Sequence, residues 1–230
     1  MLESAAIEDN LTQKQALILA SNSPRRRELL GLAEWPFEVR PADVDESVLA
    51  DEDPKDYVLR VAAEKARVIG EQVSDGLVLA ADTTVVLDGQ ILGKPHNAER
   101  AREMLSVLRG REHWVYSGLS ILNARTGETN SDLAASRVPM RNYSDEEMDN
   151  YIESGDPLDK AGAYGIQHRE FRAVEGMQEC FANVMGFPLC HLTRNLRKWG
   201  ISLDVDMPEA CQSHLDYDCP VFEEVLKWEH

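Results

Sequence analysis

No apolar run in this 230-residue chain approaches the roughly 20 residues that a membrane-spanning helix needs. The opening stretch, MLESAAIEDNLTQKQ, is polar and acidic and contains no signal-peptide hydrophobic segment. A cytoplasmic protein with no membrane contact is therefore expected. Positive charge is scarce: 24 Lys and Arg stand against 41 Asp and Glu, a net charge of −17. That balance argues against general affinity for nucleic acid or anionic lipid. Cysteine is limited to Cys180, Cys190, Cys211 and Cys219, with no CxxC pair. Cys211 and His214 have a ligand-like spacing but no second matching pair, so reduced, structural thiols are expected rather than a zinc site. Absent too are a Walker A loop, a GxGxxG turn after a strand and a GxSxG nucleophile elbow. There is no internal repeat, low-complexity tract or clear linker. At 43% apolar the chain suffices for one substantial core.

Against this acidic background stands LILASNSPRRRELL, Leu17 to Leu30. Its apolar start has the character of a buried parallel strand. Ser23 stands where a helix N-cap belongs and Pro24 suits the first helical position. Arg25, Arg26 and Arg27 then put positive charge at the positive end of a helix dipole, and Arg26 stands where a capping box would have Glu or Gln. A bound anion resolves that conflict, because free N–H groups, hydroxyls and guanidinium groups all suit phosphate. A solvated basic turn fits the same residues equally well.

The rest alternates between strand and helix patterns. Asp53 and Pro54 open a helix to about Gly70, with Val58, Val61, Ala62 and Ile69 on its apolar stripe. Lys65 falls on that stripe, where it either snorkels to water or serves a site at the edge of the core. Leu77–Asp82 predicts a buried strand. Thr84–Leu87 and Gln90–Leu92 flank the hairpin signal Asp88-Gly89. Asn97 caps a helix through Leu108; Trp114–Asn123 and Ser131–Met140 predict two more strands. Ser144 and Glu147 form a capping-box pattern ending near Gly155, and Pro188 opens a helix to about Gly200. The tail from Ile201 is acidic and irregular, with a short helix expected at Phe222–Trp228.

Asp82 closes an apolar run, where open α/β sheets place ligand chemistry, and Thr83 follows it. Lys94 lies in a Gly-Lys-Pro frame that fixes the backbone. Asp159, Lys160 and Gln167 border the small-residue run Ala161-Gly162-Ala163, which permits close approach. Taken singly, each also fits an ordinary turn or surface loop. Together they suit phosphoryl chemistry: cations to hold a polyphosphate, and a carboxylate to deprotonate water or hold a divalent ion.

Five segments resemble the Maf family of nucleotide pyrophosphatases: LILASNSPRRRELL, Glu64–Ala66 (EKA), AADTTVVLDGQILGKP, YIESGDPLDKAGAYGIQ and NVMGFPL. They occur in the family's order across residues 16–200, between an N-terminal extension at 1–15 and an acidic C-terminal extension at 201–230. The resemblance implies an α/β fold: a mixed twisted sheet with flanking helices and two lobes around a central cleft, similar to the inosine-triphosphate pyrophosphatases. It implies hydrolysis of a nucleoside triphosphate to monophosphate and pyrophosphate with magnesium or manganese. Asp82 matches the family's proton acceptor and is also a possible metal ligand. Ser21, Arg25, Arg26, Lys65 and Lys94 match its phosphate-facing positions. Arg25, Thr83 and Gln167 match the type acting on dTTP and UTP rather than 7-methyl-GTP. The Gln167 amide suits a pyrimidine edge, since it both donates and accepts. Glu38, Asp45 and Glu46 are read as solvated acids before metal ligands. His168 replaces the family's usual Gly and is expected to narrow the cleft or add a titrating donor, and Ala182 replaces a common Ser. The family resemblance also allows a homodimer. Two competing functions remain: a non-enzymatic regulator of septum formation, and a purine pyrophosphatase of the inosine-triphosphate type.

Overall fold

In a computed structural model, residues 15–227 are described; positions 1–14 of the N-terminal extension and Trp228 lie outside them. The strands are β1 (Leu17–Leu19), β2 (Phe37–Val39), β3 (Leu77–Leu87), β4 (Gln90–Leu92), β5 (Glu112–Asn123) and β6 (Thr129–Pro139). They form one mixed sheet in the order β2-β1-β3-β5-β6, with β4 paired to β3. β1 runs parallel to both β2 and β3, and the remaining pairings are antiparallel. The helices are α1 (Pro24–Gly31), α2 (Pro54–Gly70), α3 (Ala98–Leu108), α4 (Asp145–Glu153), α5 (Phe181–Met185), α6 (Leu189–Lys198), α7 (Met207–Leu215) and α8 (Phe222–Lys227). No described helix is long and apolar enough to cross a membrane.

The expected helix starts are present because the local chemistry that predicts them is satisfied. Ser23 Oγ accepts from Arg26 N, Asp53 Oδ1 from Lys55 N, and Asn97 Oδ1 from Arg100 N. Ser144 and Glu147 complete their capping box. Other elements differ from the sequence reading. Leu77–Asp82 and Thr84–Leu87 are a single strand, so Asp82 sits in the middle of β3 and does not close it. The tail contains α7, capped by Asp206 through Glu209 N, which anchors by burying only Met207 and Cys211. Two buried side chains leave too little apolar periodicity for a sequence to display. β2 and α5, at three and five residues, are too short to show any period.

Strand alternation divides β3 between two cores. Leu77, Leu79, Ala81, Val85 and Leu87 pack into the large core with α3, α4 and α6 residues. Val78 and Ala80 face Ala66 and Ile69 of α2, and Val86 packs with Tyr57, Val58 and Val61. β1 pairs with β3 only through Leu79, so β3 outruns its parallel neighbour. Asp82 lies beyond that last paired residue, opposite Gly118 of β5. Gly118 sets how closely α2 approaches the sheet: a Cβ there would lie 2.2 Å from the Val58 carbonyl oxygen and 2.8 Å from Leu59 N.

The segment before α2 is clamped to that helix. Arg60 donates to both Glu52 carboxylate oxygens at 2.6 and 2.8 Å, and to the Ser47 carbonyl at 3.0 Å. Glu52 accepts from Leu49 N at 2.9 Å, and the Tyr57 hydroxyl donates to the Glu46 carbonyl at 3.0 Å. The Arg60 hydrogen bond holds the Glu52 carboxyl down from 4.5 to about 2.

Gly118→Ala forces α2 off the sheet, and a loss of about 1–3 kcal/mol in chemical denaturation is expected; an unchanged midpoint contradicts this packing. Because the folded-state pKa of Glu52 is depressed, its contribution is complete above pH 4.5 and disappears as pH falls towards 2. The thermal midpoint of Glu52→Gln is therefore expected to fall less steeply than wild type across that interval. Equal slopes in pH-dependent melting contradict the clamp.

Candidate active site

Where β3 extends past β1, a cleft of about 930 Å³ opens. Its walls include the Ser21–Arg26 turn, Glu46, Tyr57, Lys65, Asp82, Thr83, Lys94, Gln167 and residues 184–186. All eight site residues expected from the sequence line this cleft: Ser21, Arg25, Arg26, Lys65, Asp82, Thr83, Lys94 and Gln167.

Lys65 and Asp82 are each only 6% exposed. Lys65 Nζ stands 2.7 Å from Asp82 Oδ1 and 2.6 Å from Glu46 Oε1. The apolar stripe of α2 and the α2-facing side of β3 aim these groups at each other. Lys65 therefore does not snorkel; it joins two carboxylates at the cleft floor. Glu46 keeps 45% of its side chain exposed, as expected of a solvated acid, but it is paired with Lys65 at the cleft. Burial opposes its ionisation, but the Lys65 hydrogen bond and charge, aided by Lys94 and Arg26, outweigh that and hold its carboxyl below the usual range. Glu38 and Asp45 do stay outside: Glu38 pairs with exposed Arg40, and Asp45 caps Ser47 N at 2.9 Å.

Thr83 follows Asp82 but points to the opposite side of the sheet. Its Oγ1 lies 2.9 Å from Ser117 Oγ and accepts from Arg26 Nη2 at 3.4 Å. Arg26 also donates to Ser21 Oγ at 3.2 Å and to the Gly186 carbonyl at 3.0 Å. Burial lowers the affinity of this guanidinium for its proton, and nearby Asp82 acts in the opposite direction. Arg25 Nε donates to the Met185 carbonyl at 3.4 Å. Those two carbonyls end α5, where Gly186 adopts φ +101° and leaves only 3.1 Å between a Cβ and Thr83 Oγ1. A side chain at Gly186 would thus meet both backbone strain and the Thr83 hydroxyl.

Lys94 is exposed in the cleft and makes no hydrogen bond or ion pair among the described residues. Lys160 is buried and already held by the Asp156 carbonyl and by the Asp156 and Asp159 carboxylates at 2.6–3.0 Å. Gln167 Oε1 is buried without a hydrogen-bond partner, a polar atom left available on a cleft wall. His168 does not narrow the cleft. Its ring packs against Tyr151 at 4.7 Å and its Nδ1 accepts from Phe171 N.

No group of three or more His, Cys, Asp or Glu suited to a metal occurs among the described residues. Asp82 and Glu46 converge from two elements on one point, and the second oxygen of each carboxylate makes no hydrogen bond there. Two carboxylates fit magnesium, which commonly takes one or two such ligands and completes its shell with water and substrate phosphates. Glu46, Tyr57 and Ser117 are the site-forming residues that sequence reasoning set aside or did not single out. Glu46 sits in the acidic segment Asp43–Glu46, where nothing local distinguishes it from its neighbours.

Residues 16–199 match the family model for Maf-like proteins. A dTTP/UTP pyrophosphatase of Anaeromyxobacter dehalogenans (strain 2CP-C) is 46% identical over 194 residues, covering 84% of this chain and 98% of that protein. One from Methylococcus capsulatus is 52% identical over 187 residues, covering 80% and 91%. One from Bacillus cereus (strain G9842) is 41% identical over 194 residues, covering 84% and 98%. Among solved structures, the Staphylococcus aureus Ham1 protein has a TM-score of 0.41 at 15% identity, covering 55% of this chain and 72% of that one. With four-fifths of its length inside the family model and relatives near half identity across almost their whole length, this chain belongs to the Maf family.

Proposed function

We propose that this chain hydrolyses dTTP and UTP to the nucleoside monophosphate and pyrophosphate. The observation that carries this reading is the cleft itself. In an acidic protein it collects Arg25, Arg26, Lys65 and Lys94 around Asp82 and Glu46. The names of the related dTTP/UTP pyrophosphatases support the substrate class.

Arg25, Arg26, Ser21 and Lys94, all lining the cleft, hold the triphosphate. Arg26 is preorganised by Ser21, Thr83 and Gly186, so little side-chain freedom is lost when an anion binds. Asp82 accepts the proton of the water that attacks the α-phosphorus. The bond from that phosphorus to the α,β-bridging oxygen breaks, and pyrophosphate leaves. Lys65 orients the Asp82 carboxylate through their 2.7 Å pairing and stabilises charge on the phosphate. Asp82 and Glu46 are the side chains that would hold magnesium or manganese. Bound there, such an ion would supply neutralisation of phosphate charge. Gln167 meets the pyrimidine edge. Discrimination between dTTP and UTP is small, because one methyl is worth only about 1–3 kcal/mol in a pocket.

Pyrophosphate release from dTTP, UTP, CTP, 7-methyl-GTP and ITP, with magnesium, manganese or chelator, tests the proposal. Metal-dependent release confined to dTTP and UTP is expected; turnover confined to 7-methyl-GTP or ITP overturns the substrate assignment. Asp82→Asn is expected to lose on the order of 10²–10⁴-fold in kcat while still binding nucleotide in calorimetry. Undiminished turnover removes Asp82 from this role. Gln167→Leu is expected to lower kcat/KM for dTTP by on the order of 5- to 150-fold, the equivalent of about 1–3 kcal/mol for one buried polar contact. Equal kcat/KM in steady-state assays contradicts a base contact at Gln167.

A further inference from the structure

The four cysteines, spread over residues 180–219, line one small cavity between α5, α6, α7 and the chain leading into α8. The cavity lies outside the cleft, and its far side is built from the acidic C-terminal extension. None of the four is in a disulfide. Cys180 and Cys219 are the two that act most strongly on each other across the cavity, the Cys180 thiol being pushed up and the Cys219 thiol drawn down. Their environments differ. The backbone N–H groups of Val221 and Phe222 favour the ionised Cys219 sulfur, and Cys219 borders an open surface groove with Pro220, Glu223 and Lys227. Cys180 caps α5, its Sγ accepting from Asn183 N at 3.4 Å. Cys190 and Cys211 are buried.

The extension is fastened around this pair. The Tyr217 hydroxyl donates to the Met177 and Glu179 carbonyls at 3.2 and 2.9 Å, and its ring packs on Phe181 at 5.4 Å. Cys219 N donates to Gln212 Oε1 at 2.8 Å. These contacts hold the two sulfurs at one place without a covalent bond.

We propose that Cys219 and Cys180 are a peroxide-reactive thiol pair, Cys219 the attacking sulfur and Cys180 the resolving one, which closes a disulfide between the C-terminal extension and the start of α5. The Cys180 thiol, with the Val221 and Phe222 amides, brings the Cys219 thiol down to about 6 against the opposing effects of burial and Glu179. That environment favours the Cys219 thiolate, the nucleophilic form, and Cys219 is the member of the pair that also borders the open groove. It attacks one oxygen of hydrogen peroxide; the O–O bond breaks, and hydroxide leaves and is protonated to water. The resulting Cys219 sulfenic acid is attacked by the Cys180 sulfur. Its S–O bond breaks, hydroxide leaves with the Cys180 proton as a second water, and the S–S bond forms. Two thiols and one peroxide give one disulfide and two waters, with two electrons passing from sulfur to oxygen. The new bond would form at the base of the short helix whose far end holds Arg25 and Arg26.

The test is peroxide treatment of the whole protein, followed by non-reducing digestion with Asp-N protease and chymotrypsin and by mass spectrometry. Cleavage before Asp218 separates Cys219 from Cys211, and cleavage after Phe181 separates Cys180 from Cys190. The expected result is a linked Cys180–Cys219 peptide pair, lighter by two hydrogens and split by dithiothreitol. In Cys219→Ser, Cys180 is expected to remain a thiol under the same exposure. Linkage through Cys190 or Cys211, oxidation of Cys219 to sulfinic acid without linkage, or undiminished Cys180 oxidation in Cys219→Ser overturns the pairing.

Discussion

A buried ammonium between two carboxylates is the interaction on which the remainder of the site depends. Lys65 sits on α2 and Asp82 on β3, and Glu46 is brought to them by a clamped loop. Removing the Lys65 and Asp82 charges from water is costly, and close pairing with each other and with half-exposed Glu46 compensates. The fold meets that condition by sequence features some distance from the charges. Gly118 allows α2 to descend onto β5 directly opposite Asp82. Arg60 and Tyr57, on the same helix as Lys65, fasten the segment that carries Glu46. One helix thus supplies the cation, its apolar anchor and the clamp for the second acid.

The cleft follows from a mismatch in strand length. β1 stops pairing at Leu79 while β3 continues to Leu87, so the continuing strand presents side chains beyond the protection of its parallel neighbour. Alternation then assigns work to each face. Asp82 goes to the α2 side and meets Lys65; Thr83 goes to the α5 side and meets Ser117 and Arg26. Cationic side chains concentrate at this opening although the chain carries a net charge of −17. A polyanion that the general surface repels therefore finds its complement at one place.

Much of this was legible in the sequence because it is local. Ser23, Pro24 and the three arginines announce their turn, and the mismatch between basic residues and the helix dipole is itself a signal. Lys65 was visible as a charge on an apolar stripe. The unresolved choice at that point, snorkelling or service at a site, needed a partner 17 residues away, which helix periodicity does not reveal. Glu46 was opaque for the same reason: among Asp43, Asp45 and Glu46, only tertiary placement selects one acid. Asp82 was found by the pattern of an apolar run ending in a carboxylate, although the strand in fact continues through it. The tail shows no period in the sequence because α7 buries two side chains and α8 none. The cavity shared by Cys180 and Cys219 joins residues whose spacing has no motif.

The most direct test of a shared charged centre is a double-mutant cycle on Glu46→Gln and Asp82→Asn, read as kcat/KM for pyrophosphate release from dTTP. If both carboxylates act through Lys65 and one phosphate position, the double variant loses little more than the more damaged single variant. Losses that simply add in free energy would contradict the account, because they would mean that Glu46 and Asp82 act independently.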